Sequence, residues 1–223
     1  MDQPRRGPAS LSTAVLVFAN ALPLFGVLFL GWQVFPLILL YWLENVIVGG
    51  FNVLRMIVAD PQDPVRWIGK VFLIPFFCVH FGGFTTVHGV FVFAMFGGPA
   101  YARQFFPSPS SVLAAIHQTG IGFAVIGLVL SHGVSFVWNY LLGGEYRQAS
   151  LQQLMMQPYG RVMVMHFVIL GGGFLVMALH SPVPALAVLV LLKIAVDVRA
   201  HRAERRRLGG QAVGPAVAAE PSL

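Results

Sequence analysis

The sequence predicts an all-α fold, a six-helix transmembrane bundle with both termini in the cytoplasm. Hydrophobic residues make up 57 % of the 223-residue chain and charged residues 10 %, whereas an average soluble domain has about 25 % charged residues. All but one of the 14 Lys and Arg lie in or beside the tails and connections on one side of the apolar runs, the exception being Arg103. Because Lys and Arg are retained near helix ends on the cytoplasmic side, this distribution indicates the orientation of the helices.

Six apolar runs define the predicted helices. They cover residues 11–30, 34–58, 67–96, 112–142, 162–179 and 183–198. Most approach or exceed the roughly 20 residues that a helix needs to cross a bilayer, and the short last run would use flanking residues. Barrel strands would instead alternate in polarity over about ten residues. Arg5 and Arg6 before the first run could begin a signal peptide, but the apolar sequence continues to Leu30, which predicts a retained first helix.

The runs form one predicted domain, with a different segment at its end. Residues 1–200 are predicted to be a single membrane domain, and residues 201–223, basic and then rich in Gly, Ala and Pro, a disordered cytoplasmic tail. In the connection 143–160, the apolar residues Leu151, Leu154 and Met155 have helical spacing. This spacing indicates a short amphipathic helix at the membrane interface, although a polar linker fits the pattern equally well.

The charge distribution and the cysteine content limit which binding partners and metal sites the sequence predicts. A formal charge of +6 in a soluble protein would suggest nucleic acid, but here the basic residues flank apolar runs. They are therefore predicted to meet anionic lipid headgroups, so that the lipid bilayer is the expected partner and nucleic acid is not. Cys78 is the one cysteine of the chain, which excludes a disulfide framework and a paired-cysteine metal site. The sequence leaves open whether the protein forms a homo-oligomer.

Glu44 is the acidic residue nearest the middle of a predicted helix. It precedes Arg55 by eleven positions, and a charged carboxylate at that depth costs on the order of 3 kcal/mol. Helical spacing places Tyr41, Asn45 and Asn52 on roughly the same face. We therefore expect Glu44 to face the bundle, as a candidate general base or metal ligand. The alternative is a packing contact made through hydrogen bonds.

Histidines supply the predicted partners of Glu44. The third, fourth and fifth runs carry His80 and His88, then His132 with Ser135 and Asn139 on one stripe, and finally His166. Imidazoles and a carboxylate converging from several helices would suit a transition metal, and facing histidines would suit haem. We expect Glu44 and at least two of these histidines to share one polar pocket. No short metal-binding motif is present, so each histidine could instead make an interhelical hydrogen bond.

Three short motifs resemble a known family. Tyr41-Trp42-Leu43-Glu44-Asn45, His80-Phe81-Gly82 and Ser131-His132-Gly133 are similar to segments of small bacterial multi-pass membrane proteins of unknown function. The resemblance spans roughly residues 22–173. It implies a multi-pass helical membrane protein with characteristic Glu, His and Asn positions, and it implies no activity. The expected location is the bacterial inner membrane.

Three functions agree with these residues. The protein could be an intramembrane enzyme or electron carrier that uses the Glu, His and Asn set around a transition metal or haem. It could be a proton-coupled or small-solute carrier that uses the same protonatable groups. It could also be a structural or assembly subunit whose buried polar groups only hold helices together. A Walker A loop and a GxSxG elbow are absent from the sequence, which argues against the common nucleotide-binding and serine-nucleophile sites.

Overall fold

The computed structural model describes residues 25–59, 64–99, 101 and 106–179, and single positions between 183 and 198. The described part is helical and contains no β-strand, which confirms the all-α prediction there. Its elements are α1 (Val34–Val58), α2 (Pro64–Phe96), α3 (Pro109–Thr119), α4 (Gly122–Ser135), α5 (Leu151–Met156) and α6 (Tyr159–Leu179). A π-helical segment, Phe136–Leu142, continues α4, and a 3₁₀ turn, Glu145–Arg147, precedes α5.

Three of the described helical segments are long and apolar enough to cross a membrane. They are Val34–Val58, Trp67–Phe96 and Gly122–Leu142. Large apolar side chains stand outside the packed core, for example Val71 at 78 %, Val79 at 77 % and Phe123 at 90 % exposure. So much exposed apolar surface is unfavourable in water and is expected where lipid covers it. The structure therefore supports a membrane protein.

The fourth apolar run is two helices. The prediction of one continuous helix over residues 112–142 is wrong, because the chain breaks between α3 and α4. Gly120 adopts a left-handed conformation with φ of 71°, and its N–H donates to the carbonyl of His117. A glycine in this conformation is a common helix terminator, since it lacks the Cβ that would be strained there.

Several predictions fall on residues that the structure does not describe. They concern the first helix up to residue 24, Arg103, the tail 201–223 and most of the run 183–198. The number of six helices and the cytoplasmic location of both ends therefore stay predictions.

An antiparallel pair, α1 and α2, forms the centre of the described fold. Trp42 Nε1 donates to the Thr85 carbonyl at 2.8 Å, and Lys70 Nζ donates to the Ile57 carbonyl at 2.9 Å. From the first bond to the second, the residue number rises along α1 and falls along α2, so the two helices run in opposite directions. Gly89 permits the close approach, because a Cβ there would lie 2.6 Å from Trp42 Cζ2.

Parallel to α1 lies α4, the helix that follows the break at Gly120. The Phe51 ring lies 6.1 Å from the rings of both His132 and Phe136. Further along, the Tyr140 hydroxyl donates to the Arg55 carbonyl at 2.8 Å. From the first of these contacts to the last, residue numbers rise along both α1 and α4 with its π-helical continuation, so the two run in the same direction.

A second parallel pair is formed by α2 and α6. His80 contacts Tyr159 near the start of α6, and His88 contacts His166 two turns later. Because α2 is antiparallel to α1, α6 is antiparallel to α1 and α4. Successive long helices thus alternate in direction, as consecutive membrane crossings require.

The connection before α6 contains the predicted short helix. In α5, Leu151 and Leu154 are buried and pack with Met56 and Phe77 in one apolar cluster. The Asn52 side chain donates its amide to the Leu154 carbonyl at 2.8 Å. The amphipathic spacing therefore predicted a helix correctly, and its apolar side packs against the rest of the protein.

The π-helical segment turns one aromatic side chain inward. The Gly143 N–H bonds the Trp138 carbonyl at 2.9 Å, five residues earlier. Tyr140 is 3 % exposed and reaches Arg55, while Trp138 is 69 % exposed. π-helical turns are rare and are often found beside functional sites.

Candidate functional site

An ion pair joins the middle of α1 to the first turn of α6. Arg161 Nη1 donates to Glu44 Oε1 at 2.5 Å. The Glu44 side chain is 15 % exposed and the Arg161 side chain 44 % exposed. A carboxylate at this depth requires a partner, and the long side chain of Arg161 supplies one from the end of α6.

The ion pair borders a polar cavity, which we call the crevice. It lies between α1, α4 and the start of α6, with a volume of about 270 Å³. Its polar lining residues are Asn52, Arg55, His132, Ser135, Gln157 and Arg161. Gln157 belongs to the connection predicted to be cytoplasmic, so under that topology the crevice opens to the cytoplasm and extends inward toward Glu44.

Arg55 has a buried donor without an acceptor. Its Nε is buried and has no hydrogen-bond partner among the described residues, and its guanidinium carbon lies 5.7 Å from the centre of the Tyr140 ring. The residue lies in the last turn of α1, where a cation is favoured by the helix dipole. An unsatisfied buried donor costs about 1–3 kcal/mol, so a ligand that accepts from Arg55 would be stabilised.

The three residues predicted to form one stripe on the fourth run, His132, Ser135 and Asn139, differ in their exposure. His132 and Ser135 line the crevice, and the His132 ring lies against Phe51. Asn139 is exposed and donates to Ser135 Oγ at 3.4 Å. Two of the three stripe residues therefore belong to the site, and the third lies at its margin.

A histidine pair lies apart from the crevice, between α2 and α6. His88 Nδ1 is 2.6 Å from the Phe84 carbonyl, and His88 Nε2 is 3.3 Å from His166 Nδ1. Since a carbonyl only accepts, His88 Nδ1 carries the proton and Nε2 accepts from His166 Nδ1. His88 is buried and His166 half-buried.

His80 belongs neither to the crevice nor to the pair of His88 and His166. Its Nδ1 lies 2.8 Å from the Tyr159 hydroxyl. Its ring stacks on Phe76 at 5.4 Å and contacts Phe84 at 5.6 Å. Phe84 lies between His80 and His88, so an aromatic ring separates the two imidazoles that the sequence placed on one face.

Of the other polar residues of α1, Asn45 and Tyr41 belong to the packed interior, and Asn52 lies at its border with the crevice. Asn45 donates to the Tyr41 carbonyl one turn earlier, at 2.9 Å, and its Oδ1 is buried without a partner among the described residues. Tyr41 is buried in the apolar core. Asn52 both contacts α5 and lines the crevice.

The five predicted metal ligands are thus divided among three contacts. Glu44 binds Arg161 beside His132, His88 binds His166, and His80 binds Tyr159. Within the part of the chain that the structure describes, no group of three or more His, Cys, Asp or Glu could hold a metal ion. The structure does not bring the five side chains together.

Comparison with known proteins identifies the family of the chain. Residues 2–213 match DUF6498, a family of unknown function. The chain belongs to this family. No curated protein and no solved structure matches the chain. The predicted resemblance to an uncharacterised family is thereby confirmed, whereas the bacterial multi-pass character of its members stays a prediction.

For this member of DUF6498, sequence reasoning missed the two arginines of the site. Arg161 and Arg55 were counted only as positive charges that anchor helix ends. The signal that could have found Arg161 is the mid-membrane carboxylate itself, because a buried Glu is most simply paired with a cation of long reach. No pattern in the sequence indicated that Arg55 would keep a buried donor without a partner among the described residues.

Proposed function

We propose that the protein is a six-helix protein of the bacterial inner membrane, with both termini in the cytoplasm, that binds a small polar solute in the crevice. It belongs to the class of proton-coupled or small-solute carriers, in which Glu44 is the protonatable group. One observation carries the proposal: Arg161 both lines the crevice and pairs with Glu44. A change at the crevice is therefore coupled to the charge state of a carboxylate at membrane depth.

The coupling has a simple physical basis. A solute that competes for Arg161 weakens the bond to Glu44, and an unpaired carboxylate in an apolar helix takes up a proton more readily. Conversely, protonation of Glu44 releases Arg161 toward the solute. Ionisable residues inside membrane segments commonly mark such ion or solute paths.

A panel of ligands from several chemical classes tests this function. Small acids, amines and neutral polyols are added to the detergent-solubilised protein at two pH values, and the unfolding temperature is measured. A ligand that binds only the folded state raises that temperature. We expect one class to stabilise the wild type and the control R147Q, at an exposed residue outside the crevice, in a pH-dependent manner, and E44Q much less. Equal stabilisation of E44Q, or none by any class, would contradict the proposal.

A second candidate is a structural subunit. It is favoured by the donors that end on backbone carbonyls of neighbouring elements, namely those of Trp42, Asn52 and Tyr140. These bonds hold helices together and need no ligand. If the ligand panel gives no stabilisation, this role replaces the carrier function.

Binding of a transition metal is a narrower proposal, limited to one pair whose nitrogens lie too close together to bind one haem iron from opposite faces. The His88 and His166 nitrogens lie 3.3 Å apart, a spacing that two ligands of one tetrahedral ion at about 2.0–2.1 Å each would have. A metal would replace the shared proton between the two rings. Metal analysis and a visible spectrum of the purified protein test it, and a metal-free protein that takes up no added zinc or copper would exclude it.

A further inference from the structure

We propose that the crevice binds an oxyanion, a carboxylate or a phosphate group, held between Arg55 and Arg161. The inference rests on the proposed function, because it names the chemical class of the solute for the same site. It starts from the charges that line the crevice.

The charge balance of the crevice is positive. Among the described residues that line it, two are arginines and none is acidic. Glu44, behind Arg161, balances one of the two guanidinium groups. No acidic residue among the described lining of the crevice balances the charge of Arg55. A surrounding of low dielectric constant strengthens the attraction between this charge and an anion.

Arg55 also has hydrogen-bonding capacity to spare. Its Nε is buried and without a partner in the described part of the chain, and its guanidinium lies near the Tyr140 ring. The Tyr140 hydroxyl is already committed to the Arg55 carbonyl. A planar guanidinium whose Nε is unused matches the two oxygens of a carboxylate or phosphate, which such a group binds in parallel bonds.

Glu145, a described acid that shares a cavity with Arg55, does not pair with it. Glu145 and Arg55 both line a second cavity on the side of α5. Among the described residues, however, the ion pair found is the one between Arg161 and Glu44. The guanidinium therefore lies between two cavities with no described carboxylate on it.

Size limits the anion further. The crevice holds about 270 Å³, just below the lower end of the roughly 300–1,000 Å³ of drug-sized ligand pockets. The Ser135 hydroxyl and the Gln157 amide on its wall can donate to the same oxyanion. The site therefore suits a small carboxylate, free phosphate or the phosphodiester of a lipid headgroup with a net negative charge, and is too small for a whole nucleotide.

The experiment uses the full-length protein and separates the two sources of oxyanion. Unfolding temperature is measured in phosphate-free nonionic detergent with added inorganic phosphate or succinate, against chloride at equal ionic strength. A second arm compares nanodiscs of phosphatidylglycerol with nanodiscs of phosphatidylcholine. The variants are R55Q and, as a matched control, R147Q, because Arg147 is exposed over Tyr146 and lines neither cavity.

We expect phosphate or succinate to stabilise the wild type and R147Q and to leave R55Q unchanged. Stabilisation only by phosphatidylglycerol, with the same dependence on Arg55, supports the oxyanion site and identifies the lipid as its source. If R55Q does not fold, R55K replaces it. Because lysine lacks the planar guanidinium that makes two parallel bonds, R55K should bind phosphate at least about tenfold more weakly. Unchanged phosphate affinity in R55K, or equal stabilisation of R55Q, overturns the inference.

The remaining outcomes separate this inference from the proposed function. If amines or neutral solutes stabilise the protein through Glu44 while no oxyanion does, the oxyanion site is wrong and the carrier function stands. If no solute of any class stabilises it, both fail.

Discussion

His88 Nε2 lies 3.3 Å from His166 Nδ1, and this contact joins α2 to α6 away from the crevice. The Phe84 carbonyl holds the proton of His88 on Nδ1. The direction of the shared bond is thereby fixed, with His166 as the donor. The described helices therefore contain two separate polar centres, a histidine pair and a charged crevice.

The histidine pair should contribute a measurable coupling energy. In a double-mutant cycle of H88A and H166A, we expect about 0.6 kcal/mol of coupling, the average for such bonds in a membrane bundle. Reversible unfolding of the four proteins in detergent measures it. H117A is the control, since His117 is exposed on α3 and should be nearly neutral. Strictly additive losses from the two histidines would show that the bond does not form.

Nitrogen NMR of histidine-labelled protein checks the same contact directly. The geometry predicts that His88 and His166 both carry a proton on Nδ1 and that His88 carries none on Nε2. A proton on Nε2 of His88 would contradict the contact to the Phe84 carbonyl.

Gly89 should not tolerate a side chain. A Cβ at this position would meet the buried Trp42 ring at 2.6 Å, and overpacking of this kind costs typically about 1–3 kcal/mol. We expect G89A to lower the unfolding temperature of the purified protein. The matched control is G83A in the same helix, where an added Cβ meets nothing within 4 Å. Equal effects of both substitutions would contradict the close packing of α1 on α2.

Reporter fusions should follow the distribution of positive charge. We expect cytoplasmic signals from fusions at residues 60–66 and 143–160, and an external signal from the connection 97–111. The physical reason is the retention of Lys and Arg on the cytoplasmic side. A cytoplasmic signal from a fusion at Tyr101 would overturn the topology, and with it the side to which the crevice opens.

Much of the fold could be predicted from the sequence, because hydropathy alone marks helices that cross a bilayer. The run 34–58 matches α1 at both ends. The break at Gly120 was missed, since an apolar run does not show where one glycine adopts a left-handed conformation.

The candidate site could be predicted only in part. The sequence singled out Glu44, His132 and Ser135 by polarity at depth. It placed Phe84 between His80 and His88, as the ring contacts show, but it did not show that Arg161 reaches Glu44 across 117 positions of sequence. Helical spacing places residues on a face, but the partner on the next helix depends on tertiary packing.

The Glu44–Arg161 pair predicts an order of stability among three variants. R161Q leaves a carboxylate at membrane depth without its cation, whereas E44Q leaves a half-exposed arginine that can turn toward water. We therefore expect R161Q to unfold at a lower temperature than E44Q, and the double variant to recover most of the difference. The reverse order would show that Glu44 is already neutral in the wild type.

Accessibility of the crevice wall tests the central claim, a polar site open to the cytoplasm, most directly. Ser135→Cys is made with Cys78 replaced by alanine, and a membrane-impermeant thiol reagent is applied to inside-out and to right-side-out vesicles. Ser131→Cys is the control, because Ser131 does not line the crevice and lies one turn further from the cytoplasm, where under the proposed topology its exposed side chain faces lipid and not water. We predict labelling of Ser135→Cys in inside-out vesicles alone, with Ser131→Cys unreactive in both. No labelling at position 135, or labelling only from outside, would contradict the account.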